Sequence, residues 1–160
     1  LDVFKHFNHN DPVIVFMGYG ELKNTIKACQ AKGENIFYHD AVSPEVILDY
    51  SSSADIGISC FEGNLSESLR LSLPNKLFEY MMAGLPVIVS SGPEMVKIVQ
   101  QYQVGFVLHS NNTTEATGLI EEIKNNDLTF FHKNLYKASL VFNWENQSKV
   151  LNNIYNGIKI

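Results

Sequence analysis

The sequence predicts an α/β fold: a Rossmann-like, doubly wound parallel sheet flanked by helices, with a further helix at the C-terminal end. Two observations along the 160 residues support this prediction. Short, nearly continuous apolar runs rich in β-branched residues recur, and such runs are typical of strands buried on both faces. Segments of helical length separate the runs, and this alternation indicates parallel strands joined by helices. The five predicted strands are 13–17, 35–38, 56–60, 86–89 and 106–108.

Helices are predicted between and after these strands, beginning near Glu21, Pro44, Asn75, Pro93 and Thr113. Ser43 before Pro44 is typical of an N-cap followed by the first helical residue, because the hydroxyl can accept a hydrogen bond from a free amide while proline has no amide to satisfy. Gly92 before Pro93 repeats the pattern. Gly84 is predicted to end the preceding helix in a left-handed conformation.

The last predicted helix is capped by Asn143 and carries a stripe of apolar residues along one face. A stripe of this kind indicates packing against another surface, and we expect that surface to lie in or near a domain beyond this chain. Tyr155 and Ile158 are then expected to be partly exposed here. The stripe consists of Val150, Leu151, Ile154, Tyr155 and Ile158.

Length and composition favour a single domain, 1–160, and narrow the classes of function. A hydrophobic content of 45% in 160 residues provides one substantial core. The net charge of −5 creates no field that would attract a polyanion, so nucleic acid is not an expected partner. Cys29 and Cys60 lack the spacing of a structural zinc site, and so few cysteines favour a reducing cytoplasm. Neither a membrane-spanning run nor a signal peptide is seen.

A glycine turn follows the first predicted strand and consists of Gly18, Tyr19 and Gly20. Glycines between a strand and a helix are typical of a dinucleotide fingerprint, but Lys23 stands where that fingerprint requires a third small residue. Any doubly wound fold also uses glycines for tight geometry at such a turn. The turn therefore predicts a contribution to the wall of a ligand crevice rather than a phosphate cradle.

The segment 73–88 joins a loop, a short helix starting near Asn75 and a buried strand. Unpaired amides at the helix start, at Lys76 and Leu77, can bind a diphosphate, and the Lys76 side chain adds a full positive charge. Glu79 lies one turn further along the helix, where its carboxylate can accept hydrogen bonds from vicinal sugar hydroxyls. From spacing alone, an exposed ion pair between Lys76 and Glu79 is an equally good interpretation.

Four segments in order carry a resemblance to a known family. The stretch PNKLFEYMMAGLPVIVSS is similar to the signature of the large retaining glycosyltransferase family of GT-B fold, which acts on nucleotide sugars in bacterial polysaccharide assembly. The other three segments resemble strands and helices of the same family's C-terminal domain: VIVFMGYGELKNTI, NIFYHDAVSPEVILDYSSSADIGIS and FNWENQSKVLNNIY.

The resemblance implies that the chain is the donor-binding half of a two-domain hexosyltransferase, which transfers a sugar from a nucleotide sugar, UDP-sugar above all, to a polysaccharide or lipid-linked acceptor. The carboxylate of Glu79 would bind the ribose diol, the amides near Asn75 the diphosphate, and the backbone near Val42 the base. No metal or other cofactor is expected, because amides and basic side chains stabilise the leaving group. The full-length protein would be cytoplasmic, or peripheral at the inner face of the membrane.

The chain departs from the family pattern in two places. Many relatives have a second glutamate eight positions before the one at Glu79, where this sequence has Leu71. No catalytic residue is therefore assigned. The family's domain also begins with a strand and a basic loop that find no counterpart before Val13, and Leu1 suggests a chain cut from a longer one. The isolated fragment is expected to be inactive and to self-associate through exposed strand edges.

Two other classes of function remain open from the sequence. One is a non-catalytic nucleotide-binding or regulatory module of flavodoxin-like topology, which normally shows acidic residues or a phosphate loop after its first strand. The other is a sugar-nucleotide epimerase, whose acidic and basic catalytic groups would lie mostly on a second domain. Two further segments can line a ligand crevice at the strand ends: His39 and the loop 61–73. The turn 90–92 has the same position after the fourth predicted strand.

Overall fold

The structure, a computed structural model, describes residues 1–8, 11–61, 66–90, 92–110 and 112–158. These residues form five strands that alternate with helices, as the spacing of the apolar runs predicts. The strands are β1 (Ile14–Met17), β2 (Ile36–His39), β3 (Gly57–Ser59), β4 (Val87–Ser90) and β5 (Gly105–Leu108). The helices are α1 (Lys23–Ala31), α2 (Ile47–Ser51), α3 (Glu67–Arg70), α4 (Asn75–Met82), α5 (Pro93–Tyr102), α6 (Thr113–Lys124), α7 (His132–Val141) and α8 (Trp144–Gly157).

All strand pairs in the described residues are parallel, which confirms the predicted fold class. One sheet pairs β1 with β2, from Ile14 beside Ile36 to Met17 beside His39. The other sheet has the order β3-β4-β5, and Val87 in its central strand lies beside both Gly57 and Gly105. The predicted strands are confirmed, with their ends displaced by at most a residue or two.

The chain divides into two compact units, each with its own core. The first unit comprises Leu1–Ile47 and Ser110–Asp127, and the second comprises Leu48–His109 and Leu128–Ile160. The single domain predicted for 1–160 stays a prediction.

The core of the first unit lies between α1, β2 and the N-terminal segment. Phe4, Ile26, Cys29 and Ile36 are buried there. The side-chain amide of buried Asn35 donates to the carbonyl oxygen of Asn8 at 2.6 Å and so fastens the segment before β1. Such a hydrogen bond stabilises the observed conformation of the segment before β1, because a buried amide without a partner would cost about 1–3 kcal/mol.

The core of the second unit is built around β4, in which all four residues are buried. Helices α4, α5 and α7 pack on this sheet, since their buried side chains belong to the same cluster as those of β4. Gly105 permits the approach of β5 to β4, because a Cβ at this position would lie 2.6 Å from the backbone nitrogen of Val87. The buried cluster consists of Leu77, Met81, Val87, Val89, Met95, Ile98, Val99, Val104, Leu135 and Ala138.

Several helix ends agree with the sequence chemistry. Pro93 is the first residue of α5, with Gly92 as its N-cap, and Gly84 has the left-handed φ of 79° that was predicted after α4. Asn143 caps α8 by accepting a hydrogen bond from the Asn146 amide at 2.9 Å. Tyr155 and Ile158 of α8 are exposed, as expected, at 67% and 57%, and so are the other residues of the stripe: Val150 53%, Leu151 45% and Ile154 58%.

The helix predicted from Pro44 begins instead at Ile47, because residues 44–46 form a turn. The Val46 amide donates to the Ser43 carbonyl oxygen at 3.2 Å, which closes this turn. The Ser43 side chain holds the pKa of the Glu45 carboxyl below its usual range. Helix α1 likewise begins two residues after Glu21, at Lys23.

Two helices were not predicted, and two strand residues are more exposed than predicted. Neither α3 nor α7 was predicted, and α7 lacks a side-chain cap, so its main anchor is the burial of Leu135 and Ala138. Strands buried on both faces were expected throughout, and the first sheet is not of this kind. Val15 is 58% exposed and Phe37 is 39% exposed.

The two edges of the first sheet differ. On the outer edge of β2, the Tyr38 amide donates to the Gln30 side chain at 3.0 Å, which blocks a further strand there. Among the described residues, β1 pairs with β2 alone, and Val13 and Val15 are exposed beside its open edge. An open, β-branched edge is a template for another strand. We therefore expect the isolated chain to self-associate through β1.

Val15→Lys is expected to reduce this association, because a charged side chain beside an open edge opposes strand pairing. Sedimentation velocity over a concentration series measures the effect. Val46→Lys is the matched control, since Val46 is also exposed in this unit but lies in a turn. Association that survives Val15→Lys and is lost in Val150→Lys would assign the contact to α8 instead.

Candidate functional site

The start of α4 presents free backbone donors. The helix follows Pro74, which has extended backbone angles, φ −71° and ψ 144°, and it has no side-chain cap. The Leu77 amide donates to the Pro74 carbonyl oxygen at 3.1 Å. The Asn75 and Lys76 amides have no hydrogen-bond partner in the part of the chain that the structure describes. Free amides at the positive end of a helix dipole form a ready anion site.

Burial of one helix face determines which side chains of α4 are available. Leu77 and Met81 are fully buried against β4, which places Asn75 and Lys76 at the exposed start of the helix. Leu77 thus contributes to the core through its side chain, and its amide is already bound. Glu79 is partly exposed one turn further along.

Lys76 and Glu79 do not pair with each other. The ion pairs of the described residues join Lys5 to Asp2, Lys23 to Asp40 and Lys124 to Asp11. Neither the carboxylate of Glu79 nor the ammonium of Lys76 has a hydrogen-bond partner among those residues. The ion-pair interpretation that the spacing left open is therefore absent from this structure, and both charged groups remain available to a ligand.

Helix α4 is held against β3 by a close contact. The ring of Tyr80 lies directly over Gly57, where a Cβ would clash with it. Burial raises the pKa of the Tyr80 hydroxyl, and the negative charge of Glu79 raises it further. The contact fixes the position of the Glu79 backbone relative to β3, because Glu79 and Tyr80 are neighbours on one helix.

The glycine turn lies at the carboxyl end of β1, in the first unit. Gly18 and Gly20 have φ values of 147° and 156°, and nothing lies within 4 Å of a Cβ built on either residue. Tyr19 between them is 93% exposed. The Gly18 amide donates to the His39 carbonyl oxygen at 3.1 Å, so the strand ends of β1 and β2 meet at one edge. Ligands of open α/β sheets bind at this edge.

A shallow cavity of about 620 Å³ lies beside the end of β2, between it and α1. The sequence singled out His39 in this region, and the ring nitrogen Nδ1 of His39 lies 2.6 Å from the Asp40 carbonyl oxygen. Tyr38 and Asp40 were not predicted as functional residues, and Lys23 was noted only as a departure from the glycine fingerprint. The cavity is lined by Lys27, Gln30, Ala31, Tyr38, His39 and Asp40.

The structure separates the predicted site residues into two sets. Gly18, Gly20 and Val42 belong to the first unit, where Val42 is half-buried ahead of the turn 44–46. The α4 residues belong to the second unit. Both sets lie on segments that follow strands. The glycine turn follows β1, Val42 follows β2, and α4 follows the loop 61–73 after β3.

The loop 61–73 is described in part, and residues 62–65 and Ser91 lie outside the described residues. The Phe61 amide donates to the hydroxyl of buried Ser90 at 2.9 Å, which joins the ends of β3 and β4. Beyond it, Ser66 caps α3 by accepting a hydrogen bond from the Leu69 amide at 3.4 Å. The loop is thus fastened to the strand end that precedes α5.

Neither thiol has the properties of a nucleophile. A hydrogen bond with Glu34 raises the pKa of the Cys29 thiol, and burial of the sulfur raises the pKa of Cys60 to about 11, although the residue as a whole is exposed. Within the described ranges, no three His, Cys, Asp or Glu side chains are grouped so as to hold a metal ion. None of the described helices is both long enough and apolar enough to span a membrane.

Residues 2–151 match the family model described as the C-terminal domain of glucosyltransferase 3-like proteins. No curated protein matches the chain. The family match includes residues of both compact units, among them the glycine turn, the residues that line the cavity beside β2 and the whole of α4. The chain therefore belongs to the family of glucosyltransferase 3-like C-terminal domains.

Proposed function

We propose that this chain is the donor-binding domain of a glycosyltransferase and that it binds a nucleotide sugar, with UDP-sugar as the donor class. The family name indicates a glucosyl group as the one transferred. The observation that carries the proposal is the start of α4, where two free amides, an unpaired ammonium and an unpaired carboxylate lie within the first two turns of the helix. Between them, these groups provide complementary partners for a diphosphate and for a ribose.

The amides of Asn75 and Lys76 bind the donor diphosphate in this proposal. Two N–H groups at a helix start carry partial positive charge, and the exposed Lys76 side chain adds a full charge. During transfer, the bond between the anomeric carbon and the diphosphate oxygen breaks, and negative charge develops on the leaving group. Preorganised donors at that oxygen stabilise the transition state without a metal ion.

Glu79 binds the ribose in this proposal. An ionised carboxylate only accepts hydrogen bonds, and two vicinal hydroxyls donate two, so the groups are complementary. The hydrogen bonds are charge-assisted, which makes each stronger than a neutral one. The burial of Leu77 and Met81 holds the helix and thereby the carboxylate.

Within the first unit, the glycine turn and the backbone near Val42 are the proposed contacts for the nucleotide. Glycines at a strand end allow the backbone to approach a ligand closely, and Val42 lies in the segment after β2 that would contact the base. The acceptor, a glycan or a lipid-linked sugar, would be bound by an N-terminal domain of a retaining enzyme of GT-B fold. This chain alone would bind the donor and catalyse nothing, in the cytoplasm or at the inner face of the membrane.

Calorimetric titration of the chain with UDP, GDP and ADP tests the proposal. We expect weak binding with a preference for UDP, and a much smaller effect with uridine, which lacks the diphosphate. Lys76→Met should weaken UDP binding because it removes a positive charge next to the free amides. The matched control is Lys133→Met, which removes an exposed lysine from α7. No detectable binding of any nucleotide at millimolar concentration would contradict the proposal.

A further inference from the structure

A connected set of polar contacts reaches the carbonyl oxygen of Gly18 through the hydroxyl of Tyr38. The Tyr38 hydroxyl lies 2.7 Å from this oxygen and 2.9 Å from Oδ1 of Asp40. The Lys23 ammonium donates to the same Oδ1 at 2.8 Å and lies 4.9 Å from the centroid of the Tyr38 ring. The set therefore links α1, β2 and the glycine turn through three side chains.

The direction of each hydrogen bond follows from the charges. Lys23 above all, and Tyr38 after it, hold the pKa of Asp40 below its usual range. An ionised carboxylate and a backbone carbonyl are both acceptors, so the single proton of Tyr38 is donated between the two oxygens. The Lys27 ammonium also lies 4.9 Å from the ring centroid, and two cations near one ring favour the side-chain position observed.

The glycine turn has little else to hold it. No neighbouring atom lies within 4 Å of a Cβ built on Gly18 or Gly20, and Tyr19 is 93% exposed. Glycine also loses more backbone freedom on ordering than any other residue. Two backbone hydrogen bonds lie at the ends of the turn, from the Gly18 amide to His39 and from the Lys23 amide to Gly20. Among the described side chains, Tyr38 alone hydrogen-bonds the turn.

We propose that Tyr38 is a positioning residue for the donor site: with Lys23 and Asp40, it holds the glycine turn in the conformation that receives the nucleotide. It acts through the Gly18 carbonyl and touches no ligand. This inference rests on the proposed function, in which the turn contacts the nucleotide. It adds a set of side chains on which affinity depends through the conformation of the turn.

Tyr38→Phe tests the inference because it removes the hydroxyl and keeps the ring over which both lysines lie. We expect UDP affinity to fall about threefold to tenfold, as for the loss of one hydrogen bond to a preorganised site. In the ligand-free chain, amide hydrogen exchange at Tyr19 and Gly20 should become faster. Tyr136→Phe, which removes an exposed hydroxyl from α7, should change neither quantity.

Variants of Lys23 separate positioning from general stability. Lys23→Met should reproduce the affinity loss and the faster exchange, while Lys23→Arg, which retains the charge beside Asp40, should restore both. A purely structural role would lower the melting temperature of Tyr38→Phe and leave UDP affinity unchanged, and that result would overturn the inference. Faster exchange with unchanged affinity would also overturn it. Absence of UDP binding by the unaltered chain would instead defeat the proposed function on which the inference rests.

Discussion

Glu79→Gln is expected to weaken UDP binding by at least about tenfold, which corresponds to roughly 1.4 kcal/mol. The carboxylate of Glu79 has no partner in the described residues, so the substitution breaks no internal hydrogen bond or ion pair. It removes one charge-assisted acceptor and leaves an amide that can accept at one atom only. In the full-length enzyme, donor use measured as kcat/KM should fall by a similar factor, and the melting temperature should stay the same.

A thermodynamic cycle that combines Glu79→Gln with 2′-deoxy-UDP tests whether the loss of affinity arises at the ribose. If Glu79 binds the diol, deleting the 2′-hydroxyl and replacing the carboxylate should remove the same interaction, and the two losses should not add. Glu122→Gln is the matched control, because Glu122 is an exposed glutamate in the last turn of helix α6. Unchanged UDP affinity in Glu79→Gln would remove Glu79 from the site, and fully additive losses would place it elsewhere on the ligand.

Leu77→Ala is expected to cost about 2–5 kcal/mol of unfolding free energy, as is usual when a fully buried leucine is truncated in a packed core. Leu77 has no exposed surface and belongs to the cluster that joins α4 to β4 and α7. For a chain of this size the loss corresponds to a fall in melting temperature of very roughly 5–20 °C. Thermal unfolding followed by circular dichroism measures it.

Leu71→Ala provides the comparison, because Leu71 is 51% exposed on the loop before α4 and should change stability by no more than about 0.5 kcal/mol. Leu77→Met, which conserves volume, should cost less than about 1.5 kcal/mol. Equal melting temperatures for Leu77→Ala and Leu71→Ala would contradict the burial of this helix face. At temperatures where Leu77→Ala remains folded, weakened UDP binding would follow from displacement of α4, since the Leu77 amide is already bound to Pro74.

The sequence predicted elements well where the determinants are local. Strand β4 was found from a continuous apolar run and α5 from the Gly92 and Pro93 pair, because both signals lie within the element itself. The sequence also indicates the α4 residues for this reason, because the chemistry of a helix start depends on neighbouring residues. Helix α7 was missed because its first residues lack a capping side chain and its main anchor is contact with the distant core.

Local patterns in the sequence are enough to establish the parallel α/β class, the strand positions and the presence of a lysine and a glutamate one turn apart on α4. Whether those two charges pair with each other depends on the folded structure, because side-chain rotamers at i and i+3 permit either outcome. The folded structure also brings the Tyr38 hydroxyl to the carbonyl oxygen of Gly18, 20 residues away in the chain, and joins it to the carboxylate of Asp40. Parallel pairing of β1 with β2 creates that proximity. Because helix α1 separates the two strands in the sequence, their pairing depends on tertiary packing and not on residues adjacent in the chain.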